Sequence, residues 1–82
     1  MDYFVYLVEC SDNTYYCGIT NNIDKRIDEH NNSKKGAKYT KSRRPVILRY
    51  VEKHNSRSDA LKREHSIKKL SRPEKRDLVN KT

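Results

Sequence analysis

The first segment with a clear hydrophobic pattern runs from Tyr3 to Cys10, and apolar residues occupy both of its alternating faces. This pattern predicts a central β-strand that is covered on both sides. After a polar turn, the aromatic and branched residues of Tyr15 to Thr20 predict a second strand, paired with the first as an antiparallel hairpin. On the second strand, Tyr16 and Gly18 point to the same face of the sheet. Tyr6 of the first strand is a candidate neighbour of Tyr16 on that face. A glycine inside a strand often marks the close approach of another group.

The middle of the chain adds a helix and a third strand. Ile23 and Ile27 repeat at helical spacing, which predicts a helix over about residues 22–31. The apolar segment 46–51 predicts a third strand, followed by a polar connection over residues 52–57.

The last part of the chain is predicted to be helical. Ser56 or Ser58 is expected to cap a helix that reaches about residue 70. The apolar stripe of this helix consists of Ala60, Leu61 and Ile67. Ser71 then begins a Ser-x-x-Glu capping box with proline in the first turn, which predicts a short final helix to about residue 80.

The charge of the chain is unevenly distributed and indicates a polyanionic partner. The net charge is +8, but residues 1–33 contain six acids and two bases, whereas residues 34–82 contain seventeen bases and five acids. This asymmetry favours DNA or RNA as a partner over a merely solubilising surface, which stays open as an alternative.

A run of bases without any acid follows the first predicted helix and ends before Pro45. We interpret it as a loop with room for one helical turn around residues 37–40, and as a nucleic-acid-binding strip rather than a solvated run. The bases are Lys34, Lys35, Lys38, Lys41, Arg43 and Arg44.

Other classes of protein fit the sequence poorly. No stretch approaches the roughly 20 apolar residues that span a bilayer, and the basic segments lack the aromatic face of interfacial helices, so no membrane role is expected. Two cysteines and no visible export signal predict reduced thiols in a cytoplasmic protein.

We expect a single domain over residues 1–82, and a monomer rather than an obligate oligomer.

Four side chains combine into a possible site for phosphodiester hydrolysis. Tyr16 lies beside a glycine, and Arg26 and His30 are four residues apart, so they share a helix face. Glu64 falls on the apolar stripe of the later helix, where a carboxylate is unexpected. Such a carboxylate can hold Mg²⁺, an arginine can clamp phosphate oxygens, and a tyrosine or histidine can accept a proton from water.

Each of these residues also has a simpler interpretation. The tyrosines could be core aromatics, and His30 could be a helix C-terminal cation beside the dipole. Arg26 could be a solvated helix residue, and Glu64 could pair with Lys68 at four-residue spacing. The individual residues do not decide between these alternatives.

The ordered set of motifs resembles the GIY-YIG nucleases. Val5-Tyr6-Leu7 stands where that family has Gly-Ile-Tyr, with Tyr6 matching its tyrosine, and Tyr16-Cys17-Gly18 stands where it has Tyr-Ile-Gly. Ten residues separate Tyr6 from Tyr16, and ten more lead to Arg26, which is similar to the spacing in the family. The glycine and isoleucine of the first motif are missing here, and Cys17 replaces the isoleucine of the second.

The resemblance implies an α+β fold, in which a small three-stranded antiparallel sheet, the N-terminal hairpin plus a third strand, is flanked by helices. It also implies a metal-dependent endonuclease that hydrolyses DNA with one Mg²⁺ or Mn²⁺ ion. Tyr16 would be the general base or a water-orienting phenol, with Tyr6 as its partner. Arg26 would stabilise the phosphate and His30 would assist proton transfer or position Tyr16, while Glu64 would bind the metal.

Two other functions stay open. Family members that cut defined sites usually carry an additional DNA-targeting domain, for which these 82 residues leave no room. The chain could therefore be a nucleic-acid-binding module that retains the fold without cleaving. A protein-interaction adaptor is the third possibility, although no sequence feature favours it.

Overall fold

The computed structural model describes residues 2–81. Its elements, in chain order, are β1 (Tyr3–Glu9), β2 (Tyr15–Thr20), α1 (Ile23–Asn32), α2 (Lys38–Lys41), β3 (Ile47–His54), α3 (Arg57–Lys68) and α4 (Arg72–Asn80). The strands form one antiparallel sheet in the order β2-β1-β3, with the helices around it. The predicted α+β fold is confirmed.

Strand β1 is the central strand of the sheet, as its two apolar faces predicted. In its pairing with β2, Tyr6 lies opposite Gly18. The Tyr6 hydroxyl occupies the space of the missing side chain, because a Cβ atom at residue 18 would lie 2.4 Å from it. Gly18 therefore provides the room for the Tyr6 phenol.

Each face of the sheet has its own core. The face covered by α3 is aliphatic, with the buried residues Val5, Leu7, Cys17, Ala60 and Ile67. The face covered by α1 contains the buried residues Tyr6, Val8, Cys10 and Val46, with Ile23, Ile27 and Tyr16 packed against them. Strand β2 has no second neighbour among the described strands, so the two faces approach each other along its outer edge.

The N-termini of α1, α3 and α4 are capped by side chains, and the predicted end of α3 changes. Asn22 caps α1 and Ser56 caps α3, so the alternative cap at Ser58 is wrong. The predicted capping box of α4 at Ser71 is confirmed in both of its hydrogen bonds. The α3 helix ends at Lys68, two residues earlier than predicted, and the predicted helical turn in the basic loop is α2.

Strand β3 extends through the segment predicted to be a polar connection. Glu52 pairs with Val5 in the sheet, and its carboxylate accepts hydrogen bonds from the guanidinium of Arg63 at 2.9–3.1 Å. It also accepts from Tyr50 and is bonded to His54. Burial alone would raise the pKa of Glu52, but these partners outweigh it and lower the pKa to about 2. A polar segment can therefore continue the strand because its acid has partners on α3 and β3.

Candidate active site

A chain of buried polar groups lies on the α1 face of the sheet. The Tyr6 hydroxyl is 2.6 Å from His30 Nε2, and His30 Nδ1 is 3.0 Å from the Thr40 hydroxyl. The three residues are 1%, 0% and 0% exposed. Strand β1, helix α1 and helix α2 each supply one of them, so the chain ties three elements together.

The direction of these hydrogen bonds follows from the single proton of the Thr40 hydroxyl. Thr40 donates to the carbonyl oxygen of Ala37 at 2.9 Å. The Ala37 backbone N–H also points at His30 Nδ1, but at 3.4 Å this contact is longer than the 3.0 Å from Nδ1 to the Thr40 oxygen. We therefore assign the Thr40 oxygen as the acceptor for a proton on Nδ1, which leaves Nε2 of the neutral ring as the acceptor for the Tyr6 hydroxyl. Thr40 thereby fixes the tautomer in which His30 accepts from Tyr6.

Burial keeps both members of this pair uncharged. Desolvation raises the pKa of Tyr6 to about 12, although the nearby Arg26 guanidinium opposes the rise. Desolvation lowers the pKa of His30 to about 4, and the positive charge of Arg26 contributes to the lowering. At neutral pH, Tyr6 is therefore a hydrogen-bond donor, and His30 is a neutral acceptor.

The Arg26 side chain is held beside the Tyr6 hydroxyl by several hydrogen-bond partners. Its Nη1 donates to Glu29 Oε1 at 3.0 Å and to the carbonyl oxygen of Lys35 at 2.9 Å. The side chain is 25% exposed and interacts electrostatically with Tyr6. Arg26 is therefore not merely a solvated helix residue, because it pairs with Glu29 and its guanidinium also hydrogen-bonds with the Tyr6 side chain.

Two tyrosine rings, Tyr16 and Tyr39, continue from His30 to the protein surface. The Tyr16 ring meets His30 edge-on with a centroid distance of 5.4 Å, and Tyr39 stacks on Tyr16 at 5.9 Å. The Arg43 guanidinium lies 3.9 Å above the Tyr39 ring. Tyr16 is half-buried and is an electrostatic neighbour of Tyr6. It is therefore the phenol of this cluster that a surface ligand can approach.

Glu64 lies on the opposite face of the sheet from Tyr6 and Tyr16. Its α3 neighbours Ala60 and Ile67 belong to the aliphatic core, and the carboxylate acts electrostatically on Cys17 of that core. The side chain is 17% exposed and lies 3.6 Å from Lys68 Nζ, as the simpler interpretation anticipated. The predicted stripe is correct for Ala60 and Ile67 but not for Leu61, which is 36% exposed.

The candidate residues therefore form two groups, and β2 separates them. Tyr6, Tyr16, Arg26 and His30 are brought together on the α1 face, and Glu64 is not among them. Cys17, which faces Glu64, lies between Tyr16 and Gly18 on the outermost strand of the sheet. Successive residues of a strand point to opposite faces, so only the width of this strand separates the groups.

The candidate residues provide few ligands for a divalent metal ion. No cluster of three His, Cys, Asp or Glu side chains that could hold a metal occurs within residues 2–81. Glu64 offers one partly buried carboxylate, which excludes a closed structural site. It fits Mg²⁺ or Mn²⁺ of the kind that keeps several waters and completes its coordination with substrate phosphates.

The predicted basic strip divides into two parts. The four lysines are exposed, but both arginines are engaged within the protein. Arg44 donates to the carbonyl oxygens of His30, Glu29 and Ser33 and so caps the C-terminal end of α1. Arg43 pairs with Asp12 at 3.0 Å and donates to the carbonyl oxygen of Tyr39. The structure thus gives Arg44 a structural position, which the charge pattern could not reveal.

Sequence reasoning assigned no role to Tyr39 or Thr40, although both complete the cluster. A threonine and a tyrosine between lysines look like ordinary loop residues. Thr40 bonds to a histidine ten positions earlier, and Tyr39 stacks on a tyrosine of β2. The weak signal available was a tyrosine inside a basic run, a combination that is common where proteins contact nucleic acid.

The fold and the ordered residues define a nuclease-type domain, and comparison with known proteins agrees. The family model described as the GIY-YIG catalytic domain matches residues 2–77, and the chain belongs to the GIY-YIG family.

Its relatives include a UPF0213 protein of Desulfotalea psychrophila, 60% identical over 94% of this chain and 70% of the relative. A UPF0213 protein of Halobacterium salinarum is 51% identical over 90% of this chain and 95% of the relative. The solution NMR structure of a UPF0213 protein from Bacillus halodurans is also similar. It has a TM-score of 0.62 and 41% identity, covering 98% of this chain and 84% of that one.

Among the described helices, none is long and apolar enough to cross a membrane.

Proposed function

We propose that this domain is a metal-dependent endonuclease that hydrolyses DNA phosphodiester bonds at the outer edge of β2. The observation that carries the proposal is the buried Tyr6–His30 hydrogen bond with Arg26 beside it. Burying two polar rings beside a guanidinium costs desolvation free energy that their mutual hydrogen bond only offsets, and an aliphatic core of the same volume would be stable without them. The basic surface supplies the attraction for a polyanion.

In the proposed mechanism, the partly exposed Arg26 guanidinium binds oxygens of the scissile phosphate and stabilises the charge that develops on them. Tyr16 orients the attacking water, because it is the less buried of the two tyrosines that contact His30. The buried Tyr6 hydroxyl donates to neutral His30. These two buried residues therefore carry no charge that would compete with Arg26 for the phosphate. The water oxygen forms the new bond to phosphorus and releases its proton to solvent, while the bond to the leaving oxygen breaks and that oxygen takes up a proton from solvent.

Glu64 would hold the divalent ion. When bound, such an ion polarises the phosphate and stabilises the leaving oxygen. Since Glu64 belongs to the α3 face, the scissile phosphate has to lie across the edge of β2, within reach of both groups. The proposal therefore places one phosphate between Arg26 and Glu64.

The test is cleavage of plasmid and branched DNA with Mg²⁺ or Mn²⁺. We expect Arg26→Ala and Glu64→Gln each to lower the rate by about 10²–10³-fold, the usual loss when one charge-stabilising group is removed. Arg57→Ala and Asp77→Asn are matched controls, because they remove the same charges from positions outside the cluster. Cleavage that persists in Arg26→Ala or Glu64→Gln at the control rate would point to a contaminant or another site.

A nucleic-acid-binding module without cleavage is the second candidate. The observation that favours it is the position of Glu64 on the opposite face, next to Lys68. It predicts salt-sensitive DNA binding with no turnover for any DNA form or metal. The same assay separates the two functions, because turnover that depends on Glu64 removes this candidate.

A further inference from the structure

A cavity of about 200 Å³ opens where β2 begins, outside the Tyr6–His30 cluster. It is lined by Thr14, Tyr15, Tyr39, Arg72 and Lys75. Every one of these side chains carries a hydroxyl or a cationic donor, and none is acidic. Arginine, lysine, threonine and tyrosine side chains are the groups that proteins use to contact phosphate oxygens of nucleic acids.

The cavity borders both halves of the candidate active site. Tyr39 stacks on Tyr16, which belongs to the cluster on the α1 face. Lys75 comes from α4 and acts on the Cys17 thiol together with Glu64, so it lies on the α3 face near the carboxylate. A strand of nucleic acid that crosses the edge of β2 would therefore meet the cavity next to the scissile phosphate.

Its two cations are placed differently. Arg72 is anchored at the rim, because its Nη2 donates to the carbonyl oxygen of Asn13 at 2.7 Å. Lys75 is half-buried and has no ion-pair partner within residues 2–81, whereas the other α4 bases are exposed. Because no carboxylate of the described residues pairs with it, the Lys75 ammonium can bind an anion that enters the cavity. The cavity thus combines one anchored cation with one cation that has no ion pair in the described part of the chain.

We propose that this cavity binds a non-scissile phosphate of the nucleic-acid backbone and so sets the position of the strand on the domain. The proposal rests on the proposed function, because it takes the polyanion at the β2 edge to be the substrate. It adds a binding subsite built by α4 and the turn before β2.

The test measures binding without cleavage, in EDTA, using fluorescein-labelled single-stranded, duplex and branched DNA. The form that the wild type binds best is titrated over a range of salt concentrations. The variants are Lys75→Gln and the double variant Arg72→Gln/Lys75→Gln. The matched control is Lys62→Gln/Arg76→Gln, which removes two exposed positive charges from α3 and α4. Thermal melting of each variant checks that it is folded.

Loss of one phosphate contact lowers the slope of log affinity against log salt by about one. We expect this decrease for Lys75→Gln and for the double variant, with a clearly smaller change for the control. Equal losses in the cavity and control variants would overturn the subsite. Because cleavage is not measured, the failure of the subsite and the failure of the endonuclease assignment are separate results.

A second experiment adds inorganic phosphate to the protein and records amide NMR spectra. It distinguishes a cavity that binds a phosphate of the nucleic-acid backbone from one that binds a free anion. Shifts at Thr14, Tyr15 and Lys75 that disappear in Lys75→Gln, together with the changed DNA slope, support the proposal. Shifts with phosphate but an unchanged DNA slope would contradict it, because the cavity would then serve a free anion.

Discussion

The two faces of the sheet are covered by cores of different chemistry. Under α3, the buried residues are aliphatic, and the acid Glu52 at the rim has a bidentate arginine partner. Under α1, the most buried side chains include a tyrosine, a histidine and a threonine joined by hydrogen bonds. The first arrangement maximises apolar burial, whereas the second uses core positions for hydrogen-bonded polar groups. The comparison indicates a division in which the α3 face supplies most of the aliphatic burial and the α1 face most of the candidate site residues, with Glu64 as the exception on the α3 face.

The largest expected effect on stability comes from the aliphatic face. Ile67 is fully buried there, and Ile67→Ala should lower the free energy of unfolding by about 3 kcal/mol through lost burial and a residual cavity. The rate of cleavage per folded molecule should not change. Urea unfolding and the cleavage assay, both run at a temperature at which the variant is folded, measure the two quantities. A large loss of rate in folded Ile67→Ala would mean that the division between faces is wrong.

The next effect is a pH dependence from the polar face. The pKa of His30 is lowered from 6.5 to about 4, so the unfolded chain binds a proton in a range where the folded protein does not. Above pH 6.5 this difference in proton binding does not lower the free energy of unfolding. As the pH falls toward 4, the free energy of unfolding decreases by an amount on the order of 3 kcal/mol. The measurement is urea unfolding from pH 7 to pH 4 for the wild type and His30→Gln. The variant should lack this part of the decline, and identical pH profiles would show that His30 is not the titrating group.

A smaller effect is expected from Thr40, which fixes the tautomer of His30. Thr40→Val leaves the buried His30 Nδ1 proton without its acceptor, which costs about 1–3 kcal/mol of stability. Thr40→Ser keeps the hydroxyl and should retain both the tautomer and most of the cleavage rate. Nitrogen chemical shifts of the His30 ring distinguish the tautomers directly. An unchanged Nδ1–H tautomer in Thr40→Val would remove Thr40 from its positioning role.

The hydrophobic pattern was sufficient for much of the fold because each element has a strong local signal. The two apolar faces of β1 predicted the central strand, and the capping box that begins at Ser71 predicted α4. The end of β3 was missed because its polar residues are stabilised by Arg63, which lies eleven positions beyond Glu52 in the sequence. Local periodicity contains no information about such distant partners.

The site was harder to predict than the fold for the same reason. The spacing of Arg26 and His30 placed both on one side of α1, where both interact with Tyr6. Periodicity also showed correctly that Glu64 points into a core, but it cannot show which face of the sheet a helix covers. Arg44 looked like a surface base, yet it caps α1 through carbonyl groups that no sequence pattern marks.

The central claim is that residues on both faces act on one phosphate across the edge of β2. The most direct test is a double-mutant cycle on DNA cleavage with Tyr16→Phe on one face and Glu64→Gln on the other. Residues that act as a unit lose activity non-additively, so we expect the double variant to be about as slow as the slower single variant. Losses that multiply in the double variant, or full activity in Glu64→Gln, would contradict a single site shared by the two faces.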